Sequence, residues 1–344
     1  MTLKEKIAQM LIITPDEKNF ETSIKEMIEK YQIGGVVLYS KNYNSYQEMI
    51  EKINYIKQCN KLYGKTPIWI SIDQEGGRVN RFPDEIENIK NAYSIGKTKN
   101  IELAKNVGNT IGKMLIETGI NMNYAPVLDI KRFEDNHAIG NRAYSENKET
   151  VFSIANAVMQ GMKEAGVLAV PKHFPGHGMS KADSHFFVPH VNSNLEQLEN
   201  EDLYPFKKVF ENGADAVMVG HLIVETIDKK MPASLSKKII TEMLKNKYKF
   251  KGLIVTDDLK MLAIRLMFST EDAVSNAILA GNDSILLGIE YKKIENIINK
   301  IEKRVNDGFI PLEIIEASAN KNIKMKKAYN INDEQIKRNG YRIL

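Results

Sequence analysis

The feature that most constrains the fold is a series of eight short apolar runs, separated by segments with helical periodicity. Most of the runs are continuous rather than alternating, which is typical of parallel strands covered on both faces. Eight strand–helix units in a chain of 344 residues predict an α/β fold, a single-domain (β/α)8 TIM barrel. The runs are residues 8–14, 34–39, 68–73, 121–129, 167–173, 214–221, 252–258 and 283–288.

The segments between the runs carry the spacing and end signals of amphipathic helices. Residues 19–35 place apolar side chains on one face and stop at a pair of glycines. Residues 269–283 start at a Ser/Thr cap and end near Gly281. Ser193 and Glu196 stand in capping-box register, which predicts a helix that begins there.

An open doubly wound sheet is the alternative architecture. The count of eight strands favours the barrel, and no GxGxxG motif follows an early strand. We expect residues 1–310 to form the barrel and residues 311–344 to form a C-terminal helix and tail packed on it. This division leaves no room for a second substantial domain.

Composition and charge exclude several classes of protein. Lys and Arg number 48 against 44 Asp and Glu, and the resulting charge of +4 is spread along the chain, so nucleic acid is not an expected partner. Cys59 is the lone cysteine, which excludes an intramolecular disulfide. The first twenty residues lack the long apolar core of a signal peptide, and no run is long enough to span a bilayer. We therefore expect a cytoplasmic protein with no membrane partner.

Charged and imidazole side chains gather where five successive predicted strands end. In a barrel these ends converge on one opening, where active sites are built. A buried ring of charges is costly unless something uses it, so the set as a whole predicts a functional site. Its members are Asp73 with Arg78 and Arg81, Asp129 with Arg142, Lys172 with His173, His221, and Asp257 with Asp258.

Single members of this set also have structural explanations. Asp129 is expected to fix its own loop, and His221 is expected to be a hydrogen-bonded rim residue. One of Arg78 and Arg81 is expected to be a surface charge. Asp257 and Asp258 are adjacent, so they cannot both point into the opening.

Residues 171–185, "PKHFPGHGMSKADSH", contain three of the six histidines. His173 and His177 have a spacing seen in zinc sites, but Pro175 and Gly176 between them argue against the helix that such motifs use. A loop whose histidines bond the backbone is a second interpretation. Acid–base catalysis is the third, because the Asp183 carboxylate stands two residues before His185 and can orient its imidazole. Asp257 would then act across the opening as nucleophile or electrostatic partner.

These residues resemble the signature KHFPGHG-x(4)-DSH of the β-N-acetylhexosaminidase branch of glycoside hydrolase family 3. Six other segments resemble further blocks of that family in the same order. The match runs from "GGVVLYSKN" to "ILLG", about three quarters of the chain. The blocks are "DQEGGRVNRF", "APVLDI", "GNRAYS", "PASLS", "TDDLKM" and "AGNDSILL".

The resemblance implies a TIM-barrel enzyme that cleaves terminal β-linked N-acetylglucosamine (GlcNAc) with retention of configuration. It implies that Asp257 is the nucleophile and that His185, assisted by Asp183, is the acid–base group. It implies no cofactor and no metal, and a GlcNAc-containing saccharide or muropeptide as the ligand, in recycling of cell-wall fragments. The residues implied to hold the sugar are Asp73, Arg81, Arg142, Lys172 and His173.

Three further points qualify this interpretation. The "DSH" loop is flanked by glycines, so we expect His185 to move between binding and catalysis. The segments "KMLAIRLMFSTED" and "DIKRFEDNHAIG" lack, respectively, a glycine and the prolines common in the family. A glycoside phosphorylase is the nearest alternative, because a neutral histidine tolerates an incoming phosphate. A β-glucosidase of the same family, a metal-dependent hydrolase and a non-catalytic sugar-binding barrel are the others.

Overall fold

The computed structural model describes residues 1–133, 136, 138–178, 189–191 and 193–336. The strands within these ranges, β1 to β10 in chain order, are Leu11–Ile13, Gly35–Leu38, Trp69–Ile72, Met122–Asn123, Leu168–Ala169, His190–Val191, Ala216–Val219, Ile223–Val224, Leu253–Thr256 and Ile285–Leu287. Each of the eight predicted apolar runs contains one strand. Strands β6 and β8 were not predicted.

Helices lie between most successive strands, whereas β7 and β8 follow each other directly. The α-helices, α1 to α12 in chain order, are Leu3–Gln9, Phe20–Glu26, Tyr46–Tyr63, Ala92–Lys97, Ile101–Glu117, Lys148–Glu164, Leu195–Asn200, Leu203–Glu211, Leu262–Arg265, Thr270–Ala280, Ile294–Asn306 and Leu312–Ala328. The 3-10 and π-helical segments are Met27–Tyr31, Ser40–Asn42, Gly140–Arg142, Ala233–Leu235, Lys238–Lys247 and Tyr291–Lys293. Among the described helices none is long and apolar enough to cross a membrane.

The central sheet is parallel and contains six strands in the order β10-β1-β2-β3-β4-β5. Strand β7 pairs in parallel with β9, and β6 pairs in parallel with β8. Two isolated parallel bridges connect the larger units: Phe174 bridges to Val219 of β7, and Val255 of β9 bridges to Ser284. The predicted α/β class with a central parallel sheet is confirmed.

Both faces of the strands are buried, which explains why the apolar runs are continuous. Alternate strand residues form one inner cluster: Ile12, Val37, Trp69, Met122, Tyr124, Leu168, Val170, Ala216, Met218, Leu253, Val255 and Leu286. The residues between them, such as Val36 and Ile70, pack with the helices in a larger cluster. A strand that is buried on both faces carries apolar side chains on both, so its sequence lacks the apolar–polar alternation of a strand with one exposed face.

Helix caps agree with the sequence pattern at one site and differ at another. Ser269 caps α10 by accepting a hydrogen bond from the Asp272 amide, and Gly281 ends the helix with φ 108°. The predicted capping box of Ser193 is wrong, because Asn194 caps α7 and accepts a hydrogen bond from the Gln197 amide. The helical pattern there also divides into α7 and α8, since the backbone between them leaves the helical region.

Helix α12 packs across the amino ends of the strands. Trp69, the first residue of β3, donates a hydrogen bond from its indole to Asn322 Oδ1 of α12 over 3.2 Å. Lys326 lies one turn further along α12 and donates to Gln9 Oε1 over 3.0 Å. The carboxyl ends of the strands therefore form the opposite edge of the sheet, which α12 leaves uncovered.

Candidate active site

Three predicted site residues lie on the same face of the sheet, at the carboxyl ends of their strands. Asp73, Lys172 and Asp257 each follow an inner-cluster residue of the same run by an even number of positions. Since side chains alternate along a strand, all three project to the inner side. This edge is therefore the candidate site.

Lys172 lies at the centre of a buried charge network. Its Nζ is 2.6 Å from Asp73 Oδ1 and 2.6 Å from Glu75 Oε1, and its side chain is 2% exposed. Arg142 closes the network with two hydrogen bonds to Glu75, of 2.8 Å from Nε and 2.7 Å from Nη2. A third bond from Arg142 Nη1 reaches the Ala138 carbonyl over 2.8 Å. Among the described residues, Glu75 is the carboxylate that links Arg142 to Lys172.

Glu75 is a site residue that sequence reasoning missed. Burial alone would raise the pKa of its carboxyl, but Arg142 and Lys172 hold the pKa far below its usual value. Two cations on one buried carboxylate make a rigid unit that fixes the Lys172 ammonium. The available signal was the position of Glu75 two residues after Asp73 in "DQEGG", with Gly76 and Gly77 turning the chain at positive φ.

Asp129 joins the two histidines of residues 171–178. Its Oδ2 is 2.7 Å from His173 Nδ1, and its Oδ1 accepts a 2.7 Å hydrogen bond from the His177 amide. Burial would raise the pKa of Asp129, but His173 lowers it below the usual value, so the carboxylate is ionised. An ionised partner at Nδ1 fixes the ring orientation of His173. The expected loop-fixing role of Asp129 agrees with these contacts.

His177 has a different environment from His173. Its ring is buried and lies 6.0 Å from the His173 ring, centroid to centroid. Burial lowers the pKa of His177 to about 4, so the ring is neutral at physiological pH. Among the described residues there is no group of three or more His, Cys, Asp or Glu side chains placed to hold a metal ion.

The two adjacent aspartates after β9 have different surroundings. Asp258 Oδ1 accepts hydrogen bonds from the amides of Lys260, at 2.9 Å, and Gly288, at 2.8 Å. Asp257 accepts one from the Asp258 amide at 2.8 Å. Asp258 is therefore engaged with the backbone of its own loop. Burial raises the pKa of Asp258 to about 6.

Asp257 has an environment that favours the ionised carboxylate. Burial would raise its pKa, but the nearby His221 and His173 outweigh this effect and hold the pKa below its usual value. His221 is fixed by Ser234 Oγ at 2.7 Å and by the Asp258 carbonyl at 2.9 Å from Nε2. Because a carbonyl only accepts, Nε2 of His221 carries a proton. His221 thus steadies the loop that carries both aspartates.

The two arginines after β3 also differ. Arg78 donates to the Ala138 carbonyl over 2.8 Å and so holds the loop that contains Arg142. The Arg81 guanidinium lies 5.9 Å from the centre of the Tyr39 ring, and its buried Nε has no hydrogen-bond partner in the part of the chain that the structure describes. Arg81 therefore keeps a donor for a ligand.

Two predicted catalytic residues, Asp183 and His185, lie outside the described residues. The predicted movement of His185 lies outside them as well. The described part of the site consists of Asp257, the Asp73–Lys172–Glu75 network, the Asp129–His173 pair and Arg81.

Comparisons with known proteins agree with the motif blocks. The family model "Glycosyl hydrolase family 3 N terminal domain" matches residues 2–325. A β-hexosaminidase from Tolumonas auensis is 34% identical over 265 residues, which cover 76% of this chain and 77% of that protein. A β-hexosaminidase from Haemophilus influenzae is 31% identical over 301 residues, which cover 86% and 84%.

The solved structures include a similar fold from Paenibacillus sp. str. FPU-7, described as a glycoside hydrolase family 3 β-N-acetylglucosaminidase. It matches with a TM-score of 0.95 and 30% identity over 99% of this chain. The match covers 65% of the Paenibacillus chain, so the present chain spans less than two thirds of that protein. These similarities confirm the resemblance that the motif blocks indicate.

Proposed function

Because the chain belongs to glycoside hydrolase family 3, we propose that it is a retaining β-N-acetylglucosaminidase that hydrolyses terminal β-linked GlcNAc. That it is a glycoside hydrolase follows from the family; the substrate and the mechanism are the proposal. The observation that carries it is the ionised Asp257 carboxylate at the inner edge, close to Lys172 and His173.

In this mechanism Asp257 is the nucleophile. Its carboxylate attacks the anomeric carbon, a glycosyl ester forms, and the bond to the leaving oxygen breaks. A nucleophile must be ionised at working pH, and the histidines around Asp257 favour that state. Asp258 is unsuited to the role because its Oδ1 accepts the backbone amides of Lys260 and Gly288 and is held by its own loop.

The proton of the leaving oxygen comes from His185, with Asp183 orienting its ring. In the second step the same imidazole takes a proton from the water that cleaves the ester. This assignment rests on the resemblance of the "DSH" block. A neutral histidine does not repel an anionic nucleophile, which keeps phosphorolysis open as an outcome of the tests below.

The sugar is held by the edge residues around the nucleophile. The Asp73 carboxylate accepts hydrogen bonds from sugar hydroxyls, and the Lys172 ammonium donates hydrogen bonds to them. Arg81 supplies its Nε donor, which has no partner among the described residues. His173 presents its Nε2, because Nδ1 is bound to Asp129. Arg142 contributes through Glu75, by holding Lys172 in place.

The architecture proposed with this function is a closed (β/α)8 barrel over residues 1–310, with residues 311–344 packed on it. The two bridges, Phe174–Val219 and Val255–Ser284, support closure because they connect the β7–β9 pair to both edges of the six-stranded sheet. Action on muropeptides in the cytoplasm, as part of peptidoglycan recycling, belongs to the same proposal and is supported by the family resemblance.

Covalent labelling tests the mechanism. The protein is incubated with a 5-fluoro-GlcNAc fluoride, and the adduct is located by peptide mass mapping. We expect one adduct per chain on Asp257 in the wild type and also in the matched Asp258→Asn variant. An adduct on Asp258, or rapid hydrolysis with no trapped adduct, contradicts the assignment.

A substrate panel tests the activity itself. Aryl β-GlcNAc, aryl β-glucose and a GlcNAc–anhydromuramoyl disaccharide are assayed with and without phosphate. We expect release of free GlcNAc from the first and third substrates, at a rate that phosphate does not change. Release of GlcNAc-1-phosphate would identify a phosphorylase, and absence of turnover on all three would refute the proposed function.

A further inference from the structure

We propose that Tyr39 is a specificity-determining residue whose phenolic hydroxyl donates a hydrogen bond to a hydroxyl group of the bound sugar. The inference rests on the proposed function, since it takes the sugar site to be occupied by a terminal GlcNAc. It adds a residue of β2's carboxyl end to a site otherwise built from the ends of β3, β5 and β9.

Strand register places Tyr39 beside Asp73. Leu38, the last residue of β2, pairs with Ile72, the last residue of β3, so the next residue of each strand stands at the same level. Val37 belongs to the inner cluster, and the ring of Tyr39 packs against that cluster. Tyr39 and Asp73 are therefore neighbours on the inner side of the carboxyl edge.

The Tyr39 hydroxyl differs from those of two nearby tyrosines. Tyr124 donates to Ser71 Oγ over 2.9 Å, and Tyr43 donates to the Arg81 carbonyl over 2.9 Å. No described side chain holds the Tyr39 hydroxyl in a hydrogen bond. Tyr39 is only partly buried, and a ligand group at this edge is the partner that its hydroxyl would take.

The surroundings of Tyr39 make its hydroxyl a permanent donor. Burial, and then the charges of Asp258 and Asp73, raise the pKa of Tyr39 well above its ordinary value. The phenol therefore keeps its proton at any pH at which an enzyme works. A donor that cannot ionise complements an acceptor oxygen.

A sugar hydroxyl fits the space between these groups. Its oxygen accepts a hydrogen bond from Tyr39, while its proton is donated to the Asp73 carboxylate. The Arg81 guanidinium lies 5.9 Å from the Tyr39 ring centre and adds a positive charge beside this space. A site built in this way rejects an analogue that lacks the hydroxyl, because buried polar groups then lose their partner.

A substrate series tests the proposal. Wild type and Tyr39→Phe are compared on 4-nitrophenyl β-GlcNAc and on its 3-deoxy, 4-deoxy and 6-deoxy analogues. We expect Tyr39→Phe to lower kcat/KM about three- to tenfold on the parent substrate, the usual size of one neutral hydrogen bond. On the one deoxy analogue that lacks the bonded hydroxyl, the two proteins should have the same kcat/KM.

Controls separate this role from a structural one. Tyr329→Phe removes a hydroxyl bonded to Asp215 at the opposite, amino end of the strands, and should change kcat/KM on no substrate. The melting temperature and the pH profile of Tyr39→Phe should match the wild type.

Two results would overturn the proposal: no loss on the parent substrate, or an equal loss on all four substrates. Failure of the proposed function is distinguishable, because wild type would then not hydrolyse the parent substrate at all.

Discussion

The amino ends of the central strands meet helix α12, whereas their carboxyl ends carry the charged residues of the candidate site. Both regions bury polar groups, but the two regions satisfy them differently. At the amino ends, Asn322 uses all of its amide: Oδ1 accepts from Trp69 and Ser284, and Nδ2 donates to the carbonyls of Asp283 and Ser318. A network of this kind stabilises the fold and leaves nothing for a ligand.

At the carboxyl ends, several polar groups lack hydrogen-bond partners among the described residues. Within that part of the chain, Arg81 Nε is buried without a hydrogen bond, the Tyr39 hydroxyl is bonded to no side chain, and the Asp257 carboxylate accepts from the Asp258 amide alone. Unsatisfied groups cost stability, so their presence around the candidate site indicates that a ligand completes them. The comparison predicts that substitutions at the two edges have opposite consequences.

The largest expected effect comes from Asp257. Asp257→Asn should lower kcat/KM on 4-nitrophenyl β-GlcNAc by at least about a thousandfold, since the variant lacks the nucleophile. Its melting temperature should be unchanged or slightly lower, because the variant lacks the charge that His221 and His173 stabilise. Steady-state kinetics and thermal unfolding measure the two quantities on the same preparation.

The matched control for Asp257 is its neighbour. Asp258→Asn keeps an Oδ1 that can accept the Lys260 and Gly288 amides, so a much smaller loss of activity is expected. Equal losses in the two variants would mean that the different surroundings of these carboxylates do not separate their roles.

The amino edge should show the reverse pattern. Asn322→Ala leaves the Trp69 indole and the Ser284 hydroxyl without their acceptor, so the free energy of unfolding should fall by about 2–4 kcal/mol. The kcat/KM value at 25 °C should stay within about twofold, as no group at the carboxyl edge is touched. Urea titration and the aryl glycoside assay provide the measurements.

Asn296→Ala, at an exposed position of α11, is the control for this substitution, and its stability should be unchanged. A large loss of kcat/KM in folded Asn322→Ala would contradict the separation of the two edges.

The general position of the candidate site could be predicted from the sequence because two simple rules suffice for it. Side chains alternate along strands, and parallel strands in α/β folds direct their carboxyl ends to one edge. Asp73, Lys172 and Asp257 could therefore be grouped without coordinates. The continuous apolar runs likewise identify strands that are buried on both faces.

Contacts that depend on tertiary packing could not be predicted in this way. Glu75 lies beyond its strand, and its two cationic partners come from Lys172 and Arg142, about 70 to 100 residues away. Asn322 meets Trp69 across 253 residues of sequence. No periodicity reports such pairs, because they depend on how separate elements pack.

The smallest of these effects concerns Asp202, a buried carboxylate beside the glycines of residues 171–178. Neither of its oxygens has a hydrogen bond to a described residue, and Arg132 Nη2 is 3.8 Å from Oδ2. Burial raises the pKa of Asp202 to about 6 from the ordinary 3.8. The folded state therefore binds the Asp202 proton more tightly than the unfolded state does. The stability that the protonated carboxyl contributes is present at low pH and is lost as the pH rises from about 4 to about 6.

Asp202→Asn stays neutral and avoids this loss. Its free energy of unfolding should exceed that of the wild type by about 2 kcal/mol at pH 7.5 and by much less at pH 4. The matched control is Asp84→Asn at an exposed position, which should show no such difference between the two pH values. If Asp202→Asn is destabilised at pH 7.5, the Asp202 carboxylate has an ionic partner that stabilises it in the folded protein. Its buried charge would then be satisfied within the protein, as the polar groups around Asn322 are.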